Sequence, residues 1–219
     1  MLPYYREVIK QGAIMARYRG PRLKIIRRLG TPLPGLMRTD PDLRRPYPPG
    51  QHGPTRRAKL SDYAVRLREK QKLRFHYCIS EKQLRRYVAK ASSQKGNPGT
   101  NLLEKLETRL DNAVFRAGYA PTIRAARQMT GHGHISVNGK RVDIASYPLR
   151  VGDVVSHHEK SKMIEQIKTN RKDPSNLSLP SYLAVDEGNH SFKITMKPAR
   201  EDVPVIVQEQ FIIEYYSAL

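Results

Sequence analysis

Residues 101–142 read NLLEKLETRL DNAVFRAGYA PTIRAARQMT GHGHISVNGK RV, and this stretch decides the fold. Asn101 and Glu104 can cap a helix, and Leu102, Leu103, Leu106, Leu110, Ala113, Val114 and Ala117 give it one apolar stripe. Gly118 is a natural stop. A second, shorter helix is expected from Thr122 to just before Gly131. It turns Ile123, Ala126 and Met129 inward, and Arg124, Arg127 and Gln128, at i, i+3 and i+4, outward. Ile135 and Val137 then alternate with polar neighbours, as in a half-buried strand, and Asn138-Gly139 is a strong hairpin signal because both positions tolerate positive φ. Val151 to Val155 supplies a further strand. Two helices, a hairpin and a strand make a small α+β module. Its basic side carries Arg109, Arg116, Arg124, Arg127, His132, His134, Lys140 and Arg141. Such a side can grip an RNA duplex through phosphates and 2′-hydroxyls without reading bases.

Upstream, Ser92 to Gly99 is a linker by composition and marks the clearest boundary. Before it, Ser61 can cap a helix running to about Phe75. Ser80 with Gln83 forms a capping box, and Ile79 with Leu84 a hydrophobic staple. The arm from Met15 to Arg57 has the weakest helix and strand patterning, because eight prolines interrupt it. We read it as an extended basic arm that orders along RNA, with Arg17, Arg19, Arg22, Lys24, Arg27 and Arg28 on phosphates. Arg56, Arg57 and Arg74 join that set. Downstream, Val207, Phe211 and Tyr215 share a face at i, i+4 and i+8, which predicts a short closing helix. The expected organisation is an arm with its extension (1–57), a helical domain (58–97), the RNA-binding module (98–172) and a C-terminal segment returning to the helical domain (173–219).

Composition narrows the function. The 219 residues carry 40 Lys and Arg against 20 Asp and Glu, a formal charge of +20. A compact chain with that charge repels itself unless an anionic partner neutralises it. The charge is also uneven: 12 basic and two acidic residues between Met15 and Leu60, three basic and seven acidic between Asp173 and Leu219. A solvated surface has no need of that asymmetry; an RNA-facing side does. No run of 18 apolar residues suggests a membrane span, and no amphipathic helix with a large apolar face suggests a membrane surface. Cys78 is the single cysteine, so neither an internal disulfide nor a Cys-based zinc pattern is available. It reads as a small buried hydrophobe. His132 and His134 flank Gly133 without further ligands, and an RNA-facing or turn-satisfying role suits them better than a metal. We expect no metal and no cofactor.

Taken in order, Arg109-Leu110-Asp111-Asn112, Gly118, Arg124-Ala125-Ala126-Arg127-Gln128 and Gly133 to Gly139 resemble the RNA-binding module of the small-subunit ribosomal protein S-four family, bacterial and plastid type. Ala16 to Pro21, Arg27 to Gly30, Tyr47 to Gly53, Glu69 to Phe75 and Glu214 to Ser217 extend the resemblance across most of the chain. The resemblance implies a structural constituent of the ribosome, in bacterial cytoplasm or plastid stroma. It implies a primary binder of 16S-type rRNA that docks on a multi-helix junction of the 5′ domain. It further implies a role in subunit assembly and decoding accuracy, a place beside ribosomal proteins S-three and S-five, and proximity to incoming mRNA. Some family members hold zinc with four arm cysteines, which this arm lacks. Two other functional classes share this module. An RNA-modifying enzyme built on the same module needs a catalytic domain, and the residues after Ser156 carry no catalytic constellation. A free RNA-binding factor would have the module nearly alone, without the long arm.

Overall fold

The structure is a computed structural model that describes residues 18, 20–38, 45–55, 59–158, 161, 163–172, 178–186 and 188–217. Helices α1 (Arg22–Leu29), α2 (Asp62–His76), α3 (Glu81–Ser92), α4 (Pro98–Glu107), α5 (Leu110–Arg116) and α6 (Ile123–Gly131) come first. Strands β1 (Ile135–Val137), β2 (Lys140–Arg141) and β3 (Val154–His157), helix α7 (Ile164–Arg171) and strands β4 (Leu183–Asp186) and β5 (Ser191–Ile194) follow. A 3-10 turn at Arg200–Asp202 leads to the closing helix α8 (Glu209–Ser217). The α+β class expected from the sequence is the class observed. No described helix is long and apolar enough to cross a membrane.

Local chemistry sets most boundaries. Ser61 Oγ accepts from the Ala64 amide at 3.3 Å and starts α2. The capping box of α3 forms as expected, with the Gln83 amide donating to Ser80 Oγ at 3.3 Å and the Ser80 amide to Gln83 Oε1 at 3.4 Å. The arm is more structured than its prolines suggested. The interval between Pro21 and Pro32 holds α1, which ends on Gly30 at φ 65, where the Gly30 amide reaches the Ile26 carbonyl at 2.8 Å. This helix exists because Ile25, Ile26 and Leu29 are buried, a packing gain that outweighs weak local propensity.

The long helix expected from 101 to 117 is two helices. The break falls at Thr108 and Arg109, where neighbouring backbone groups bond to residues 147–149. The Leu149 amide donates to the Thr108 carbonyl at 2.8 Å, and the Leu110 amide to the Tyr147 carbonyl at 2.9 Å. The helix also starts earlier than expected, on Asn97, whose Oδ1 accepts from Gly99 at 2.8 Å.

The strands form one antiparallel sheet in the order β2-β1-β3-β5-β4. Its register pairs Ser136 with Ser156 and Val155 with Phe192. Residues 183–194, expected to return to the helical domain with the rest of 173–219, instead add two strands to the module's sheet. Leu183, Phe192 and Ile194 are buried there. Only the chain beyond them, through Val203, Val205, Val207 and Ile212, rejoins the helical core.

Two hydrophobic cores result. One joins α5, α6 and the sheet with Ile167, Tyr182 and Leu183. The other joins α1 with Leu33 and Leu36, the helices α2 and α3, Leu102, Leu103 and Leu106 of α4, and α8. Thus α4, expected within the module, packs with the helical core. The cores touch through the arm. Gly35, at φ 76, accepts from the Ile123 amide at 3.1 Å, and the Phe115 ring occupies the place a Cβ of residue 35 would need. Cys78 is packed against both cores.

Candidate nucleic-acid interface

Helix α6 positions the centre of the candidate site. Thr122 Oγ1 accepts from the Ala125 amide at 3.2 Å and fixes its first turn. Ile123, Ala126 and Met129 are buried in the module core. The opposite side carries Arg124 and Arg127, both partly buried, and the exposed Gln128.

This side meets the start of α1 and the end of α2 across a groove of about 580 Å³. Six residues singled out in the sequence line it: Arg22, Arg74, Arg124, Arg127, Gln128 and His132. They come from three separate stretches of chain, which explains why spacing alone could not group them. Tyr18 and Phe75 form an aromatic wall, with ring centroids 5.5 Å apart and planes at 77°. The Arg124 guanidinium lies 5.9 Å from the Tyr18 ring centre, and the Arg74 guanidinium 5.2 Å from that of Phe75. Arg22 donates to the Leu36 carbonyl at 3.3 Å, and Arg74 to Gln71 Oε1 at 3.2 Å. The thiol of Cys78 lies at the floor, its pKa pushed up by burial against the opposing influence of Arg124.

Arg127 has a mixed role. It donates to the Cys78 carbonyl at 2.9 Å and lies 4.0 Å from the Asp111 carboxylate. Its side chain fastens the module to the end of α2, so it belongs to the scaffold as well as to the groove. Removing it cannot be expected to spare the fold.

The other expected residues divide. Lys24 and Arg28 are exposed on α1. Arg27 donates to the Arg45 and Tyr47 carbonyls at 3.0 and 3.1 Å, and so holds the following loop. Lys140 is exposed in the hairpin. Arg141 is also exposed, and one guanidinium nitrogen reaches the His132 carbonyl at 3.3 Å. His134 is half-buried, with Nδ1 3.1 Å from Ser161 Oγ. Arg17, Arg19, Arg56 and Arg57 lie outside the described residues.

Arg109 and Arg116 correct the sequence reading. The sequence pattern puts both on the basic side, yet Arg109 is 1% and Arg116 5% exposed. Arg109 makes a two-pronged pair with Asp111, at 2.9 and 2.6 Å, and donates to Tyr87 Oη at 2.7 Å. Arg116 donates to the Asp202 carbonyl and faces Glu107 at 3.8 Å. Buried Glu107 also accepts from Tyr77 and Tyr182, at 2.5 and 2.8 Å, and from Asn112 at 2.7 Å. Burial first, and the neighbouring Glu107 second, hold both phenols protonated far above their usual range. A buried charge must be paired, and these two arginines satisfy that demand inside the protein. No group of three or more His, Cys, Asp or Glu residues suited to a metal occurs among the described residues.

The aromatic wall was missed. The sequence places Tyr18 and Phe75 only within stretches that carry the family resemblance. The available signal was an aromatic residue set among cations: Tyr18 between Arg17 and Arg19, and Phe75 after Arg74.

Comparison with known proteins gives a consistent picture. Residues 17–107 match the family described as ribosomal protein S4/S9 N-terminal domain, and residues 108–155 match the S4 domain. The chain is 52% identical over 203 residues to the small ribosomal subunit protein uS4 of Parasynechococcus marenigrum (strain WH8102), covering 93% of this chain and 98% of that protein. It is 53% identical, over the same shares, to the proteins of that name from Trichodesmium erythraeum (strain IMS101) and Synechocystis sp. (strain ATCC 27184 / PCC 6803 / Kazusa).

Proposed function

The chain belongs to the ribosomal protein S4 family of the small subunit, and from that premise we propose that it binds 16S-type rRNA through the groove on α6 and the cations around it. It is a structural protein of the ribosome and not an enzyme. The observation that carries the binding reading is the convergence of Arg22, Arg74, Arg124 and Arg127 on one open groove, in a chain with a net charge of +20. Arginine suits phosphate because its planar fork can donate two hydrogen bonds to one group. The finer reading follows the family resemblance. The protein docks early on a multi-helix junction of the 5′ domain, beside ribosomal proteins S-three and S-five. From there it supports subunit assembly, the path of incoming mRNA and decoding accuracy.

Arg124→Ala tests the groove, since Arg124 is half-exposed and lies outside the buried pairs of Arg109 and Arg116. We expect its affinity for small-subunit rRNA to fall by roughly 1.5–3 kcal/mol, the scale of a hydrogen bond to a charged group. The slope of log K against log salt should become shallower by about one unit. Thermal unfolding should stay within about 0.5 kcal/mol of the parent. Unchanged affinity and slope with a normal melt would remove this groove from the RNA interface.

A further inference from the structure

We infer that the α6 groove holds one unstacked RNA base against Tyr18 and Phe75, with the attached phosphate on the arginine rim. The inference rests on the reading that the chain binds rRNA, and it deepens that reading by naming what enters this site.

Shape is the first reason. Duplex RNA is recognised through 2′-hydroxyls and phosphates across its wide, shallow minor groove, contacts that need no apolar recess. The α6 site is a groove with an apolar floor that includes Leu36, Ile79 and Ala125. Its volume of about 580 Å³ is that of a small-molecule site and suits a single nucleotide. Bare phosphate has no use for an apolar floor, whereas a base does.

The wall is the second reason. Tyr18 is 40% exposed and lines the groove, so part of its ring is open to whatever enters there. It is nonetheless held in place. Its hydroxyl reaches the Pro21 carbonyl at 3.5 Å, its ring meets Phe75 edge to face, and it folds over Gly20 so closely that a Cβ there would overlap it. Arg124 stands 5.9 Å from the ring centre. A stacked contact would bring the atoms to about 3.5–4.0 Å. With 5.9 Å between its centre and that of the ring, Arg124 is not stacked flat on Tyr18, and the exposed part of the ring remains open to a base. Aromatic rings and guanidinium planes are the surfaces on which proteins stack unpaired nucleotides.

The test uses the full chain and small-subunit rRNA in equilibrium binding at several salt concentrations. Tyr18→Ala should weaken binding roughly 5- to 150-fold, the range for loss of one base–aromatic stack. Its salt slope should not change, because no phosphate contact is lost. Tyr18→Phe should bind like the parent. Gly20→Ala, which keeps the ring but displaces it, should lose affinity in the same direction. Ultraviolet irradiation should join the peptide carrying Tyr18 or Phe75 to an unpaired nucleotide, as close stacking on an aromatic ring would allow. Normal binding by Tyr18→Ala while Arg124→Ala still weakens it would overturn base capture and leave the rRNA reading standing. A shallower slope in Tyr18→Ala would also overturn it, since the ring would then act by placing phosphate ligands. If neither variant alters binding, both readings fall.

Discussion

At the scale of single residues, two arginines of the module have opposite surroundings. Arg109 and Arg124 look alike on paper, yet one is sealed against Asp111 and the other borders an open groove. What separates them is an acid two positions away and the helix break that turns Arg109 inward, and that break is made by residues 145–149 rather than by local propensity. The pairing has a measurable cost of disruption. Asp111→Ala leaves the Arg109 charge buried without its carboxylate. We expect a loss of about 3–5 kcal/mol in denaturant unfolding. The double change Arg109→Met with Asp111→Leu should lose less than Asp111→Ala alone, because buried pairs often contribute little over apolar side chains of similar size. A single-variant loss below about 1 kcal/mol would show that the pair is hydrated or rearranges easily.

At the scale of elements, caps and turns were the most legible part of the chain, because their chemistry is local. Ser61, the Ser80–Gln83 box and the Asn138-Gly139 turn behave as their residue types dictate, the turn with φ of 49 and 76. Elements that exist through distant packing were hidden. Helix α1 is held by its burial on the helical core, and strands β4 and β5 by a sheet begun some way upstream. The sequence named the groove's cations but not Tyr18 and Phe75, and their grouping was hidden for the same reason. Gly133 shows how a turn serves the site. It sits at φ 73, and the Arg141 guanidinium lies where a Cβ would project. Gly133→Ala should therefore destabilise the protein by about 1–2 kcal/mol from the backbone alone, with an added steric cost. Arg141→Ala in that background should recover the steric part and leave the backbone part, read as two steps in thermal unfolding midpoint. If Arg141→Ala recovers nothing, the guanidinium moves aside freely and only φ matters.

At the scale of the whole molecule, the chain builds its helical core from both sides of the module. Residues 25–36, 73–106 and 203–212 share one apolar cluster, while residues 110–194 supply most of the other. Helix α8 closes on α2, with Arg66 2.9 Å from Glu214 and the Gln208 amide 3.0 Å from Glu69. A chain ending at residue 202 would keep the sheet and lose Val203, Val205, Val207 and Ile212 from the helical core. Amide exchange should then stay slow in residues 110–194 and become fast in residues 62–106, since protection follows local unfolding. Uniformly fast exchange would mean that the two cores stand or fall together through Gly35 and Cys78. The sequence signalled that the last segment returns to the first helices, but not where along 173–219 it does so, because alternation in short polar-flanked strands is a weak pattern.

The closure of α8 on α2 also bears on the order in which a growing polypeptide can settle. Residues 62–76 are synthesised first but cannot finish packing until residues 209–217 have been added, a delay of roughly 10 s at ordinary elongation rates. The later-made residues 110–194 face no such wait. Maturation of the nascent chain should therefore run from the middle outward, with its earliest helices among the last parts to become fixed.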